Sequence, residues 1–527
     1  MKPFAALLDR LLYTPQRNAK VALLVDYFRT VPDPDRGWGL AALTGALSFA
    51  HAKPGLIREL VAARTDPVLF GWSYDFVGDL AETAALMWPE PTDALPWPRL
   101  DEVVAGLATT RKTDLPALVA GWLDTLDATG RWALLKLVTG GLRVGASARL
   151  AKLALAEYGR VEPAEIEEVW HGLAQPYGTL FAWLDGNGPR PAAEDVPAFR
   201  PLMLAHPVED EDVAKLAADL SSYLAEWKWD GIRVQIAATS AGVRLYSRSG
   251  DDISNAFPDL VEVVTFHGVL DGELLVKRQG EVASFNDLQQ RLNRKAVTAR
   301  MLTDYPAFVH LYDILFDGSE DLRPLPFALR RQRLEAFFGR ERPARMDVSP
   351  LVEVAGLEDL ERLRGGVRGT PIEGLMLKRT DSPYLAGRPK GLWWKWKRDA
   401  HLLDVVLMYA QRGHGKRSSF YSDFTFGAWR DGPAGSELVP VGKAYSGYTD
   451  AELLQLDRWI RDHTTRRYGP VREVTPALVL EVAFDSAHRS ARHKSGVAMR
   501  FPRIHRIRWD KPATEADRLD RLERLIA

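Results

Sequence analysis

The chain has 527 residues, 46% of them apolar, which suffices for two to four domains with at least one large core and excludes a disordered composition. It holds no cysteine, so a disulfide scaffold, a cysteine nucleophile and a thiolate zinc site are excluded. With 69 Lys and Arg against 70 Asp and Glu, the formal charge is −1, and any grip on a polyanion has to come from local patches.

Met1 is followed by a helix-like segment, Pro3 to Asp9, with no basic-then-apolar leader. No apolar run reaches the roughly 18 residues that cross a bilayer, so a cytoplasmic protein without membrane contact is expected. Residues 1–190 read as helical. Phe4, Leu7, Leu8, Leu11 and Leu12 recur at helical spacing, and Val21, Leu24, Val25 and Phe28 repeat the pattern after a turn at Thr14-Pro15. Gly186 to Pro191 has linker composition, which continues to about Pro201.

The periodicity then changes. Alternating Val234, Ile236, Val243 and Leu245 predict a hairpin turning near Ser240–Gly242. Further strands are expected at Gly268–Val276 and Phe308–Leu315, and a helix at Phe327–Phe337. From about residue 398 strand-like runs dominate, including Leu403–Met408 and Ala477–Phe484, with a helical insert near Ala451–His463; a small barrel is expected there. Two stretches are basic: Arg388, Lys390, Lys395, Lys397 and Arg398, then Arg489, Arg492, Lys494, Arg500, Arg503, Arg506, Arg508 and Lys511 beside the lone acid Asp510. His493 and His505 stand among these cations without a cluster of metal-ligating neighbours, and phosphate proximity suits them better than metal binding.

Chemistry concentrates around Glu226-Trp227-Lys228-Trp229-Asp230-Gly231-Ile232-Arg233. A lysine amine attacks phosphorus only when neutral, against an ordinary pKa of about 10.4. Arg233 and burial beside Trp227 and Trp229 are expected to lower it, with Gly231 allowing a tight turn that brings Lys228 and Arg233 to one phosphate. Lys-x-Asp-Gly alone is weak, since composition yields it by accident in roughly one chain in ten. It is followed, however, by Ser247-Arg248-Ser249, Asp271-Gly272-Glu273, Tyr312-Asp313, Glu373-Gly374-Leu375-Met376-Leu377-Lys378 and Trp394-Lys395-Trp396-Lys397. Glu273 and Glu373 are oxygen ligands suited to Mg²⁺, with Mn²⁺ as an alternative. Lys378, Lys395 and Lys397 are expected to neutralise charge at the attacked phosphorus, with Lys395 and Lys397 on one face of a strand.

In order and spacing these units, closed by Arg500-Phe501-Pro502-Arg503 and Arg508-Trp509-Asp510-Lys511, resemble the motif series of the covalent nucleotidyltransferases, specifically the ATP-dependent DNA ligases. Leu142-Arg143-Val144-Gly145 and Pro201–Pro207 resemble segments of the larger members, which carry a helical DNA-binding front domain. The layout is similar to that of bacterial accessory repair ligases. The resemblance implies a helical DNA-binding domain at 1–190, an α+β nucleotidyltransferase (ATP-grasp-like ligase) domain at 201–397 and an oligonucleotide-binding barrel (OB-fold) at 398–527.

It implies that Lys228 is the adenylated nucleophile, with Glu226 reading the adenine edge and Tyr312, where relatives often have phenylalanine, stacking on it. Arg233 and Arg248 would touch ribose or phosphate, and Glu273 and Glu373 ribose or metal. Arg508, Asp510 and Lys511 would orient pyrophosphate as it leaves; Arg143, Arg248, Arg500 and Arg503 would contact DNA. ATP is the implied cofactor and nicked duplex DNA the partner, with DNA-repair proteins as possible further partners and a monomer expected from the mechanism. An NAD⁺-dependent ligase is disfavoured because its usual four-cysteine zinc module cannot be built here. RNA ligases and capping enzymes share the lysine motif. A DNA-binding scaffold without catalysis would leave Lys228, Glu273, Glu373, Lys395 and Lys397 without a purpose.

Overall fold

The computed structural model describes residues 1–90, 96–191, 196–292, 294, 296–367, 370–413, 420–432, 435–490 and 493–526. Arg492 and part of the stretch leading to Pro201 lie outside them. Among the described residues no helix is long and apolar enough to cross a membrane.

The first part is all-α, running from Lys2–Tyr13 to Gly178–Leu184 around one apolar core. Phe4, Leu7, Leu8 and Leu11 bury one stripe of the first helix, and Val21, Leu24, Val25 and Phe28 bury one of the second. Asp66, Asp127 and Ser147 cap the helices Pro67–Val77, Ala128–Thr139 and Ala148–Gly159 by accepting backbone N–H groups. Arg131 is wholly buried, its guanidinium donating to the carbonyls of Leu123, Trp88 and Pro89, so the charge serves to tie chain segments together. The Leu142–Gly145 turn is held by Lys20, which donates to Val144 O at 2.7 Å.

Two sheets face each other in the α+β middle region. The first runs in the order His206–Pro207, Trp393–Lys397, Ile372–Arg379, Tyr223–Trp229, Leu351–Val352. The second runs Gly242–Ser247, Ile232–Thr239, Gly268–Arg278, Ala307–Asp317, Glu320–Asp321. Met203, Ala237, Val269, Leu315 and Trp393 form a core between them. On its other side the second sheet packs against Phe327–Glu341, and the first against Asp210–Ala218 and Leu357–Gly366, giving helix, sheet, sheet, helix.

The expected barrel is a curled seven-stranded sheet: Gly435–Ala444, Tyr421–Gly432 and His401–Arg412 in sequence, then Val479–Phe484 and Arg503–Arg508 from one half of the long strand His401–Arg412 and Val471–Val474 and Thr464–Tyr468 from the other. The curl brings its two ends together, since Ile504 N–H donates to Ser446 O at 3.0 Å. Gly447, at φ +97°, allows that approach: a Cβ there would lie 2.1 Å from Ile504 O. The helix Asp450–Asp462, capped by Thr449, covers the core.

Candidate active site

Three strands of the first sheet set the floor of a cleft. Gly374 lies opposite Lys228 on one side and Lys397 on the other, and Met376 lies opposite Glu226 and Lys395. Side chains alternate along a strand, so Glu226 and Lys228 share a face, as do Lys395 and Lys397. The ladder slips between Ile372 and Gly374, and this bulge leaves Glu373 unpaired in the ladder with its carboxylate 2.5 Å from Lys228 Nζ and 3.2 Å from Lys397 Nζ. Gly374 is required at φ +150°, where a Cβ would sit 2.2 Å from Trp396 O.

The second sheet supplies the opposite wall. Arg233 pairs with Glu273 across strands, and Tyr312 is the extra residue of a second bulge, between Leu311 and Asp313. Gly231 serves close approach of strands, not a left-handed turn: a Cβ there would meet Leu274 O at 2.5 Å. Between the walls is a cleft of about 380 Å³ lined by Glu226, Lys228, Arg233, Arg248, Glu273, Tyr312, Glu373, Lys378, Lys395 and Lys397. The nucleotide-site residues expected from sequence, apart from the closing motif, therefore converge.

Two electrostatic expectations need correction. Arg233 does not share a phosphate position with Lys228. Its guanidinium is committed to Asp271 (both oxygens), to Met203 O at 2.7 Å and to Tyr384 Oη at 2.9 Å. Nor is the Lys228 pKa lowered. Burial pulls it down, but Glu373, Glu273 and Asp230 together hold the ammonium above the ordinary lysine value. Burial likewise pushes Glu373 up, yet Lys228 and Lys397 bring its carboxyl down to about 2. Glu273 behaves oppositely: burial, reinforced by Glu373, pushes it up to about 8 despite Lys228. Lys395 is lowered by burial and by Arg388, Arg248, Lys228 and Lys397 around it.

Lys378 also stands elsewhere than expected. It is 1% exposed, 2.6 Å from Glu226 Oε2, and ringed by Tyr312, Trp393 and Phe327 at 4.4, 4.7 and 4.9 Å from the ring centroids. It belongs to a buried polar end of the cleft with Glu226 and Arg331, not to the row of Lys228, Lys395 and Lys397.

The closing motif is not in the cleft. Arg508 and Lys511 bind Asp404 of their own domain at 3.3 and 2.8 Å, and Asp510 pairs with Arg508. Arg500 reaches across to the middle domain, where its guanidinium binds Asp230 at 2.5 Å; Arg503 pairs with Asp485 at 3.3 Å. Arg143 lies in the helical part, in a left-handed turn at φ +52° beside a shallow groove. Arg331, Asp271, Tyr384, Asp404 and Asp485 escaped sequence reading. Each partners a motif residue from a distant segment, and only Asp271, inside a motif already singled out, carried a local signal.

Two facing sheets with a half-buried lysine among carboxylates and further cations define a nucleotidyltransferase. Residues 202–397 match the ATP dependent DNA ligase domain, and residues 417–511 match the ATP dependent DNA ligase C terminal region. A probable DNA ligase of Koribacter versatilis is 32% identical over all of this chain and 96% of its own. DNA ligase 1 of Korarchaeum cryptofilum is 29% identical over all of this chain and 98% of its own. The solved structure Pmar-Lig_PreS3 shares the fold, with a TM-score of 0.58 at 14% identity, over 96% of this chain and 99% of that one. The chain belongs to the ATP-dependent DNA ligase family, and it acts on DNA through adenylation with ATP.

Proposed function

We propose that Lys228 carries the adenylate and that the chain seals nicks in duplex DNA. The observation that carries this reading is the cleft floor, where Lys228 sits 2.5 Å from Glu373 in a row continued by Lys397, with Lys395 beside it and Glu273 opposite. The Lys228 amine attacks the α-phosphorus of ATP; an N–P bond forms and pyrophosphate leaves. The ammonium must first lose a proton and let go of Glu373, which holds it charged. AMP then passes to the 5′-phosphate at the nick, and the neighbouring 3′-hydroxyl displaces it. Lys395 and Lys397 stabilise charge on the transferred phosphate, Arg248 binds phosphate at the cleft mouth, and Glu226, Lys378 and Tyr312 hold the base. Arg233 orders the wall behind them by anchoring Asp271.

Glu273 and Glu373 fit Mg²⁺, or Mn²⁺ in its place. They are hard oxygen donors facing one cleft, and the Glu273 carboxyl, pushed up to about 8, would ionise beside a cation. Among the described residues no group of three or more His, Asp or Glu side chains stands together as a metal cluster. When bound, the ion supplies Lewis-acid charge at the phosphate oxygens.

The units are taken as 1–190, 201–397 and 398–527. Arg143, Arg248, Arg500 and Arg503 contact DNA after rearrangement, and Arg508, Asp510 and Lys511 orient pyrophosphate once the C-terminal domain has turned toward ATP. A cytoplasmic monomer serving repair completes the reading. Its test is incubation with Mg²⁺ and α-labelled ATP, GTP or NAD⁺, followed by mapping of the label. Label from ATP at Lys228, absent in Lys228→Ala and discharged by nicked DNA with strand joining, is expected. Folded, unadenylated protein that takes no label overturns the proposal.

A further inference from the structure

Glu226 is 2% exposed and receives two cations. Lys378 Nζ lies 2.6 Å from its Oε2, and Arg331 Nη1 lies 3.4 Å from its Oε1. Lys378 alone balances the charge of Glu226, so the second cation is explained by orientation and not by neutralisation. The terminal torsion of a glutamate is broad and two-fold, and a single contact leaves the carboxylate free to rotate about it. Contacts from different residues to each oxygen fix the plane.

Arg331 is itself held. It is 6% exposed, and its Nε donates to Glu335 Oε1 at 2.7 Å, one turn along Phe327–Glu341. The preceding residue, Arg330, fastens that helix to the strand bearing Tyr312: its guanidinium binds Asp313 at 2.9 and 3.1 Å and the carbonyls of Leu325 and Ser382. The same helix thus steadies both the aromatic wall and the carboxylate at this end of the cleft.

We infer that Arg331 is a positioning residue for base specificity, holding Glu226 in the orientation that accepts a hydrogen bond from a 6-aminopurine nucleotide and rejects a 6-oxopurine. This rests on the reading above, in which Glu226 faces the base. A carboxylate only accepts hydrogen bonds, so it pairs with an exocyclic amine and repels a carbonyl oxygen, and the discrimination is as sharp as the carboxylate is fixed. Without Arg331 the carboxylate turns toward Lys378 and loses its aim, while the Lys228 row is untouched.

The experiment compares wild type, Arg331→Met and Arg331→Lys in the charging of Lys228 by ATP and by inosine triphosphate. The readout is the ratio of kcat/KM for the two nucleotides, which does not depend on the fraction of active protein, together with the melting temperature of each variant. In Arg331→Met the ratio is expected to fall about ten-fold, with KM for ATP rising and the rate at saturation within a few-fold of wild type. Arg331→Lys is expected to recover part of it. An unchanged ratio in Arg331→Met, with both nucleotides slowed alike or not at all, overturns the inference and leaves Arg331 a packing residue. A wild type that charges equally with both nucleotides also overturns it, whereas a wild type that ATP does not label at all overturns the parent reading.

Discussion

Arg500 of the C-terminal domain reaches both carboxylate oxygens of Asp230, at 2.5 and 2.6 Å, two residues beyond Lys228. Its guanidinium also lies 3.9 Å from the centroid of Phe285. The pair is mostly buried, whereas Lys397 reaches Asp485 only at 3.4 Å and the Arg364–Asp399 pair, at 2.7 Å, sits at the linker itself with Asp399 exposed. Removing one partner of a buried pair leaves the other uncompensated, at about 3–5 kcal/mol. Arg500→Ala is therefore expected to release the C-terminal domain, read as a larger radius of gyration in solution scattering. An unchanged scattering curve would mean that the junction is held elsewhere.

Gly374 predicts a second outcome. A methyl group there would press on Trp396 O from 2.2 Å, so Gly374→Ala must push apart the strands carrying Glu373 and Lys397. Misplacement by about 1 Å at a reacting centre costs on the order of 10²-fold. Adenylation in single-turnover assays is expected to drop by about that factor while the far-ultraviolet circular dichroism stays unchanged. Activity within a few-fold of wild type would show that the bulge does not aim Glu373.

Much of this was legible in the sequence because the motif residues lie on short strands where local pattern and contact coincide. Glu226, Lys228, Glu273, Glu373, Lys395 and Lys397 line the cleft as their spacing suggests. The bulges at Tyr312 and Glu373 were not legible, since a register slip belongs to the pairing of two strands and not to either one. The electrostatics failed for a related reason. Arg233 stands five residues from Lys228 in sequence, yet Asp271, thirty-eight residues further on, claims its guanidinium, and Glu373 claims the lysine. Composition likewise made 486–511 a single basic run, whereas Asp404 and Asp230 divide its cations between two domains.

His171 couples stability to pH where the helical domain meets the middle one. Its ring packs on Tyr246 and Phe199, at 4.6 and 5.6 Å, and Nε2 finds no hydrogen-bond partner among the described residues. Burial, helped by Lys152, lowers its pKa to about 4. The unfolded chain takes up the proton near pH 6.5, so this contribution is complete above that pH and is lost as pH falls toward 4. At pH 5 the loss is about 2 kcal/mol. His171→Phe is expected to shrink the difference in denaturant stability between pH 7 and pH 5 by about that amount; an identical difference in the variant refutes the assignment. His310, also lowered to about 4 by burial, supplies a parallel slope that the variant retains.

Asp404 holds the closing motif away from the cleft. Its Oδ2 accepts from Arg508 at 3.3 Å and from Lys511 at 2.8 Å, and both cations must leave it if they are to meet the pyrophosphate of ATP. Asp404→Asn keeps the shape and the backbone N–H bond to Asp517 but removes the charge. A hydrogen bond to a charged group exceeds a neutral one by about 1 kcal/mol, so the held state weakens several-fold. AMP charging of unadenylated enzyme is therefore expected to become several-fold faster in a rapid-quench time course, with most of the gain at low ATP. A rate unchanged or reduced would mean that Asp404 serves the charging conformation itself, and that Arg508 and Lys511 act from where they now stand.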